Sequence, residues 1–190
     1  MEIAALLELL GMLVLHPGTG ALMALLLIAA VIDWRTMRIP NWLTVSGMVY
    51  GLVFNATHST SVTAGLVTAG LGLAVGLVLL LPLYAIRVMG AGDVKLMAMV
   101  GAFLGAGPTL KALLFILVIG GCAAFAFALS HQATARFATN MRNLVYSMAI
   151  RGAPLWRPEV VGVSVGRMPY GVSIALGTST FLVARQIGFI

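Results

Sequence analysis

Two aspartates, Asp33 and Asp93, carry the chemistry that the residue types and spacing of this 190-residue chain suggest. The chain has only five carboxylates. Glu2 and Glu8 lie at its start, and Glu159 sits in an Arg-rich stretch. Asp33 and Asp93 each stand where an apolar run meets a short polar turn, in AVIDWRTMRIPN and MGAGDVKL. A carboxylate at a membrane boundary is costly unless it is solvated, paired or used. Taken singly, each has an ordinary explanation. Asp33 would be an interfacial acid held by Arg35 or Arg38 and water, and Asp93 a helix N-cap, a position Asp favours. Taken together they suggest more. If the two carboxyls approach, both cannot ionise readily, and the pair shares a proton. One can then take a proton from water while the other donates one to a scissile carbonyl. Gly90 and Gly92, just before Asp93, would let a substrate backbone come close.

Other chemistries find little support. His16, His58 and His131 are scattered, and there is no H-E-x-x-H. The single Cys122 lies in an apolar run and rules out both an intrachain disulfide and a zinc site built from Cys pairs. GAGD lacks the spacing of a phosphate loop, and there is no G-x-S-x-G elbow. No metal and no other cofactor is expected.

The elements that must position the two acids follow from composition. The chain is 61% hydrophobic and 8% charged, with mean hydropathy +1.09. A soluble domain of this length has too little interior for that much apolar side chain. Residues 39 to 86 contain no Asp, Glu, Lys or Arg. One span needs about 20 apolar residues, so this stretch holds two spans and a turn. The fold class is all-α, a polytopic transmembrane helical bundle of about six spans, since lipid permits no open sheet. The 22 glycines fit, because small residues let membrane helices approach closely.

The spans are read at 18–32, 41–55, 62–86, 94–106, 110–130 and 168–186. The first is open to a backward extension through 3–15, broken at His16-Pro17-Gly18. Pro40 is well placed to open the second. Residues 1–190 are read as one membrane-embedded domain, with an unassigned N-terminal segment at 1–17. No basic region precedes the first apolar run, so no cleavable signal peptide is expected. Nine of the 11 Lys and Arg collect in alternate loops; only Lys111 and Arg185 fall on the other side. That asymmetry reads as membrane orientation rather than nucleic-acid binding, and makes the basic side cytoplasmic. Both Asp33 and Asp93 then fall at cytoplasmic ends of their spans. The basic segment 131–167 becomes a cytoplasmic loop. Its part 134–150 is either an amphipathic helix on anionic lipid or a solvated loop.

At this point the residues carry a resemblance. DWRTMRIPNWL at 33–43, with GAGDVKL at 90–96 and MPYGVSIALG at 168–177, resembles the type IV prepilin peptidase family. These are membrane aspartic proteases with a G-x-G-D motif. The resemblance implies cleavage of the short basic leader of a prepilin just after a Gly, at the cytoplasmic face of the bacterial inner membrane. It implies Asp33 and Asp93 as the catalytic pair, acting on water without a metal. It places Gly90, Gly92, Lys95, Pro40, Asn41 and Tyr170 near the site or the substrate. Long members carry a further domain with paired Cys that binds zinc, and also methylate the new terminus. This chain has one Cys and resembles the short, Tad/Flp-pilus type, so the resemblance does not carry methylation over. The implied partners are a membrane-inserted prepilin, the lipid bilayer and pilus assembly and secretion machinery, with no nucleic acid.

Residue by residue, the supporting positions have plainer explanations too. Lys95 lies two residues beyond Asp93 and reads first as a snorkelling, lipid-anchoring lysine. Arg35 and Arg38 read as topology anchors, since they would repel a basic leader. Pro169-Tyr170-Gly171 opens the last span, with Tyr170 able to hydrogen-bond near the site. Two other functions remain open for the acids. A proton-coupled transporter or channel would prefer acids at midplane on broken helices. A non-catalytic scaffold would use them as caps. A presenilin-like protease shares G-x-G-D, but there the partner Asp follows a Tyr, and here Ile32 precedes Asp33.

Overall fold

The computed structural model of the chain describes residues 11, 15–85, 89–130, 139, 142 and 169–189. All of the segment 131–167 but residues 139 and 142, and most of 1–17, therefore lie outside the described residues. Six helices make up nearly all of the described chain: α1 Pro17–Thr36, α2 Asn41–His58, α3 Val62–Ala85, α4 Ala91–Leu104, α5 Ala106–Ser130 and α6 Tyr170–Gln186.

Their ends have local causes. Extended His16 caps α1, and Pro17, which has no N–H to lose, occupies its first position. The helix stops at Met37, which takes a left-handed conformation (φ 52°) and donates its N–H to the Asp33 carbonyl at 2.8 Å. Pro40 is the extended residue that starts α2, and its carbonyl accepts the Leu43 N–H at 3.2 Å. Gly105 at φ +80° separates α4 from α5, a conformation that suits glycine.

Three helical segments, Pro17–Thr36, Val62–Ala85 and Ala106–Ala126, are long and apolar enough to cross a membrane. The chain is a helical membrane bundle. The other three helices have 18, 14 and 17 residues. The shortest, α4, would extend only about 21 Å, against a hydrocarbon core of about 30 Å. Its apolarity serves packing instead. Residues 96 to 103 are buried without interruption, and α4 touches all five other helices. The apolar side chains left outside include Leu27 and Val31 on α1, Val45, Val49 and Val53 on α2, Val67, Leu71 and Val78 on α3, and Leu114 and Val118 on α5. An exposed apolar surface of that extent requires lipid.

Small residues bring the backbones together around α4. Gly65, Ala69, Gly72 and Gly76 recur at three- and four-residue steps on α3, so they share one buried face. A methyl added at Gly72 would stand 2.7 Å from the Gly105 Cα, and one at Gly76 3.2 Å from the Ala98 Cα. α4 is thereby held at a fixed height and rotation in the bundle, which fixes where its N-terminal turn presents Asp93.

Candidate active site

The site lies where one end of α1 meets the first turns of α4 and α6. Asp33 sits in the last turn of α1 yet is only 5% exposed. Its Oδ2 accepts the backbone N–H of Gly171 at 2.8 Å. Gly171 is in the first turn of α6, where N–H groups have no partner within the helix. The carboxylate of one helix therefore caps another, 138 residues on. Neither Arg35 nor Arg38 pairs with it among the described residues; both side chains are exposed. The tertiary hydrogen bond from α6 takes the place expected for the arginines.

Asp93, 7% exposed, lies one turn into α4. It is not the N-cap that its sequence context suggests. Gly90 holds that place, and Asp93 is the third helical residue, its Oδ2 accepting the Gly90 N–H at 3.0 Å. This is the acid half of a capping box. Each carboxylate is thus held through one oxygen by a backbone N–H at a helix N-terminus, where the helix dipole favours negative charge. No described residue donates a hydrogen bond to either Oδ1. The two carboxyls are near enough that the charge on Asp33 acts on Asp93. The charge on Asp93 acts in turn on Tyr170.

The short turn from Met37 to Pro40 joins these parts. The Thr36 hydroxyl donates to the Arg38 carbonyl at 3.1 Å, closing the turn on itself. Ile39 then packs between α4 and α6. A methyl on Gly92 would lie 3.1 Å from the Ile39 Cβ, and one on Gly171 would lie 3.0 Å from its Cδ1. Gly92 is consequently occupied from above by Ile39, rather than left open for a substrate backbone as expected. Gly90 is freer: a methyl there would meet only Asp93 Oδ2, at 3.4 Å, and the Gly92 nitrogen. Lys95 does not simply snorkel, because its Nζ donates to Asn41 Oδ1 at 2.9 Å, tying α4 to the first residue of α2. Pro40 shapes the entry to α2 and donates nothing to the acids.

The structure therefore brings Asp33, Asp93, Gly92 and Tyr170 to one place, with Lys95 and Asn41 joined beside it. Tyr170 makes no hydrogen bond among the described residues; the neighbouring Gly171 N–H makes the bond instead. Sequence reasoning missed Gly171 and Ile39. The PYG segment pointed to the right turn, but its aromatic residue drew the eye from the glycine. Ile39 was visible only as a member of the DWRTMRIPNWL stretch, and nothing local marked it as a side chain that packs against the site. Trp34 and Trp42 flank the turn with their indoles largely exposed, and such side chains prefer the membrane–water interface. Among the described residues no three His, Cys, Asp or Glu side chains gather as a metal site would require.

The model of a family described as the type IV leader peptidase family matches residues 20–129, more than half the chain, from within α1 to within α5. The α6 contribution to the site lies beyond that match. Neither the curated proteins nor the solved structures give a match.

Proposed function

The chain belongs to the type IV leader peptidase family, and we propose that it is a membrane aspartic endopeptidase that removes the basic leader of Flp-like type IV prepilins after a Gly. Asp33 and Asp93 are the catalytic pair. The observation that carries this reading is their arrangement: two nearly buried carboxylates from different helices lie near enough for the charge on Asp33 to act on Asp93, each pinned through Oδ2 and, among the described residues, each without a donor on Oδ1.

Such a pair holds one proton between them. The ionised member takes a proton from water as its oxygen bonds to the scissile carbonyl carbon. The protonated member gives its proton to the carbonyl oxygen. The tetrahedral species then breaks its C–N bond: the proton taken from water passes to the departing amine, and one hydroxyl of the gem-diol returns its proton to the member that gave one, restoring the shared proton as the new carboxyl forms. Pinning Oδ2 fixes each carboxyl plane before substrate arrives, so little reorganisation is left for the transition state. No metal enters any step.

The site faces the cytoplasm across the bacterial inner membrane, in a multi-pass domain comprising residues 1–190. The clustering of nine of 11 Lys and Arg on one side supports the orientation, and the exposed Trp34 and Trp42 support the depth. A prepilin presents a basic leader followed by an apolar helix. The helix would enter from the lipid and leave its cleavage point at the boundary where the acids lie. The remaining partners are the pilus assembly and secretion machinery.

The test is co-expression with an Flp-type prepilin, reading leader removal by gel mobility and the new N-terminus by mass. Cleavage after the leader Gly, lost in Asp33→Asn and in Asp93→Asn at equal membrane abundance, is the expected result. Cleavage at the wild-type rate in either variant would remove the pair from the mechanism. A scaffold using the acids as caps would keep its function with Asn, which also caps well.

A further inference from the structure

We propose that Ile39 is a positioning residue for the two aspartates, a wedge whose side chain sets the separation between the first turns of α4 and α6. This rests on the two-aspartate reading above. Among the described residues, the Ile39 side chain stands against both glycines next to the acids. Its Cβ faces the Gly92 Cα, one residue before Asp93, with the Cβ site there 3.1 Å away. Its Cδ1 faces Gly171, whose N–H holds Asp33, with the Cβ site 3.0 Å away. Any Cβ at either position would press on Ile39, so the side chain fills the space directly against both glycine backbones.

The wedge works only if its own backbone is fixed, and it is anchored from both sides. On the α1 side, Met37 donates to the Asp33 carbonyl and Thr36 to the Arg38 carbonyl. On the α2 side, Pro40 is locked at φ −70° and Asn41 accepts the Lys95 ammonium at 2.9 Å. The Lys95–Asn41 bond ties this turn to α4, the helix that carries Asp93. Ile39 is itself β-branched and stiff at χ1, so it transmits the position of the turn rather than yielding to it. The side chain also packs against the core beneath, which prevents it swinging out. Glycine at 92 and 171 is the counterpart of isoleucine at 39: a larger residue at either would collide with the wedge.

The test uses the full chain in lipid nanodiscs and needs no known substrate for its first readout. Asp33 and Asp93 are the only aspartates in the sequence, so 13C-labelled aspartate gives two side-chain carboxyl signals, assigned with the two Asn variants. Ile39→Ala is expected to alter the titration curves of both signals, because it changes the separation through which they couple. With a peptide carrying a basic leader ending in Gly before an apolar segment, kcat should fall by about 10- to 100-fold with KM within about twofold, as for misplaced catalytic groups. Ile39→Leu keeps the volume and a δ carbon, and should retain kcat within about threefold. Should the Ala variant fail to insert, Ile39→Val decides, since it removes only the Cδ1 that abuts Gly171; a smaller loss of the same kind is expected. Unaltered aspartate titration in the Ala or Val variant would overturn the wedge, as would wild-type kcat. If both Asn variants are inactive while Ile39 variants cleave normally, only the wedge fails. If either Asn variant cleaves normally, the two-aspartate reading itself fails.

Discussion

Gly171→Ala is the sharpest single perturbation of this site, because the added methyl has nowhere to go. It would stand 2.8 Å from Asp33 Oδ2, 3.1 Å from Asp33 Cβ and 3.0 Å from Ile39 Cδ1. Ordinary contact begins at 3.4 Å, so the Asp33 carboxylate must retreat by at least 0.6 Å, the difference between 3.4 and 2.8 Å. It must do so while still reaching for an N–H that now lies 2.8 Å away on the same residue. Losing a hydrogen bond to a charged group costs about 1.5–3 kcal/mol. A displacement approaching 1 Å at a catalytic group costs about 10²-fold in rate, equivalent to about 2.7 kcal/mol. The two routes converge on a loss of about 10²-fold in kcat. The assay is leader cleavage in membranes adjusted to equal amounts of inserted protein. Gly121→Ala and Gly70→Ala, where a methyl meets nothing within 4 Å, are the controls and should cleave normally. Wild-type cleavage by Gly171→Ala would refute the claim that its N–H aims Asp33.

Two further predictions follow from the same contacts. Gly72→Ala forces α3 away from α4, where its methyl would sit 2.7 Å from the Gly105 Cα, and overpacking of this kind costs about 1–3 kcal/mol. It should lower the unfolding midpoint in detergent while leaving the rate per folded molecule within about twofold, since the site lies at the far end of α4 from Gly105. Second, a chelator such as EDTA should leave cleavage unchanged, because two carboxylates activate water without a metal; loss of activity restored by a divalent ion would contradict the mechanism.

The helices were legible because their ends carry strong local signals. Pro17 and Pro40 mark starts, Gly105 marks a break, and the runs between are apolar throughout, as a membrane bundle requires. Every predicted span coincides with a helix, although only three of the six are long and apolar enough to cross by themselves. Hydropathy cannot separate a helix buried among protein from one facing lipid, which is why the 14-residue α4 reads as a span, though a short one. Asp33 and Asp93 stood out as acids at apolar boundaries, but what holds each was not legible. Asp33 is bound by an N–H 138 residues away, and no local pattern encodes that. Asp93 is the third helical residue rather than the expected cap, because Gly90 takes the cap position and Asp93 turns back to accept its N–H, the acid half of a capping box. Lys95 and Asn41 were each visible, yet their bond needed the packing of α2 on α4 to bring them together.

The central claim is that Asp33 and Asp93 act as one unit, and the titration of the two aspartates tests it most directly. Their carboxyl signals would be followed against pH in the wild-type chain, in Asp33→Asn and in Asp93→Asn, all in the same nanodiscs. Coupled groups titrate in steps that belong to the pair, so replacing either one should move the midpoint of the other by about one pH unit or more. Midpoints that stay where they were in both variants would mean that each acid titrates alone, and the shared-proton mechanism would not stand.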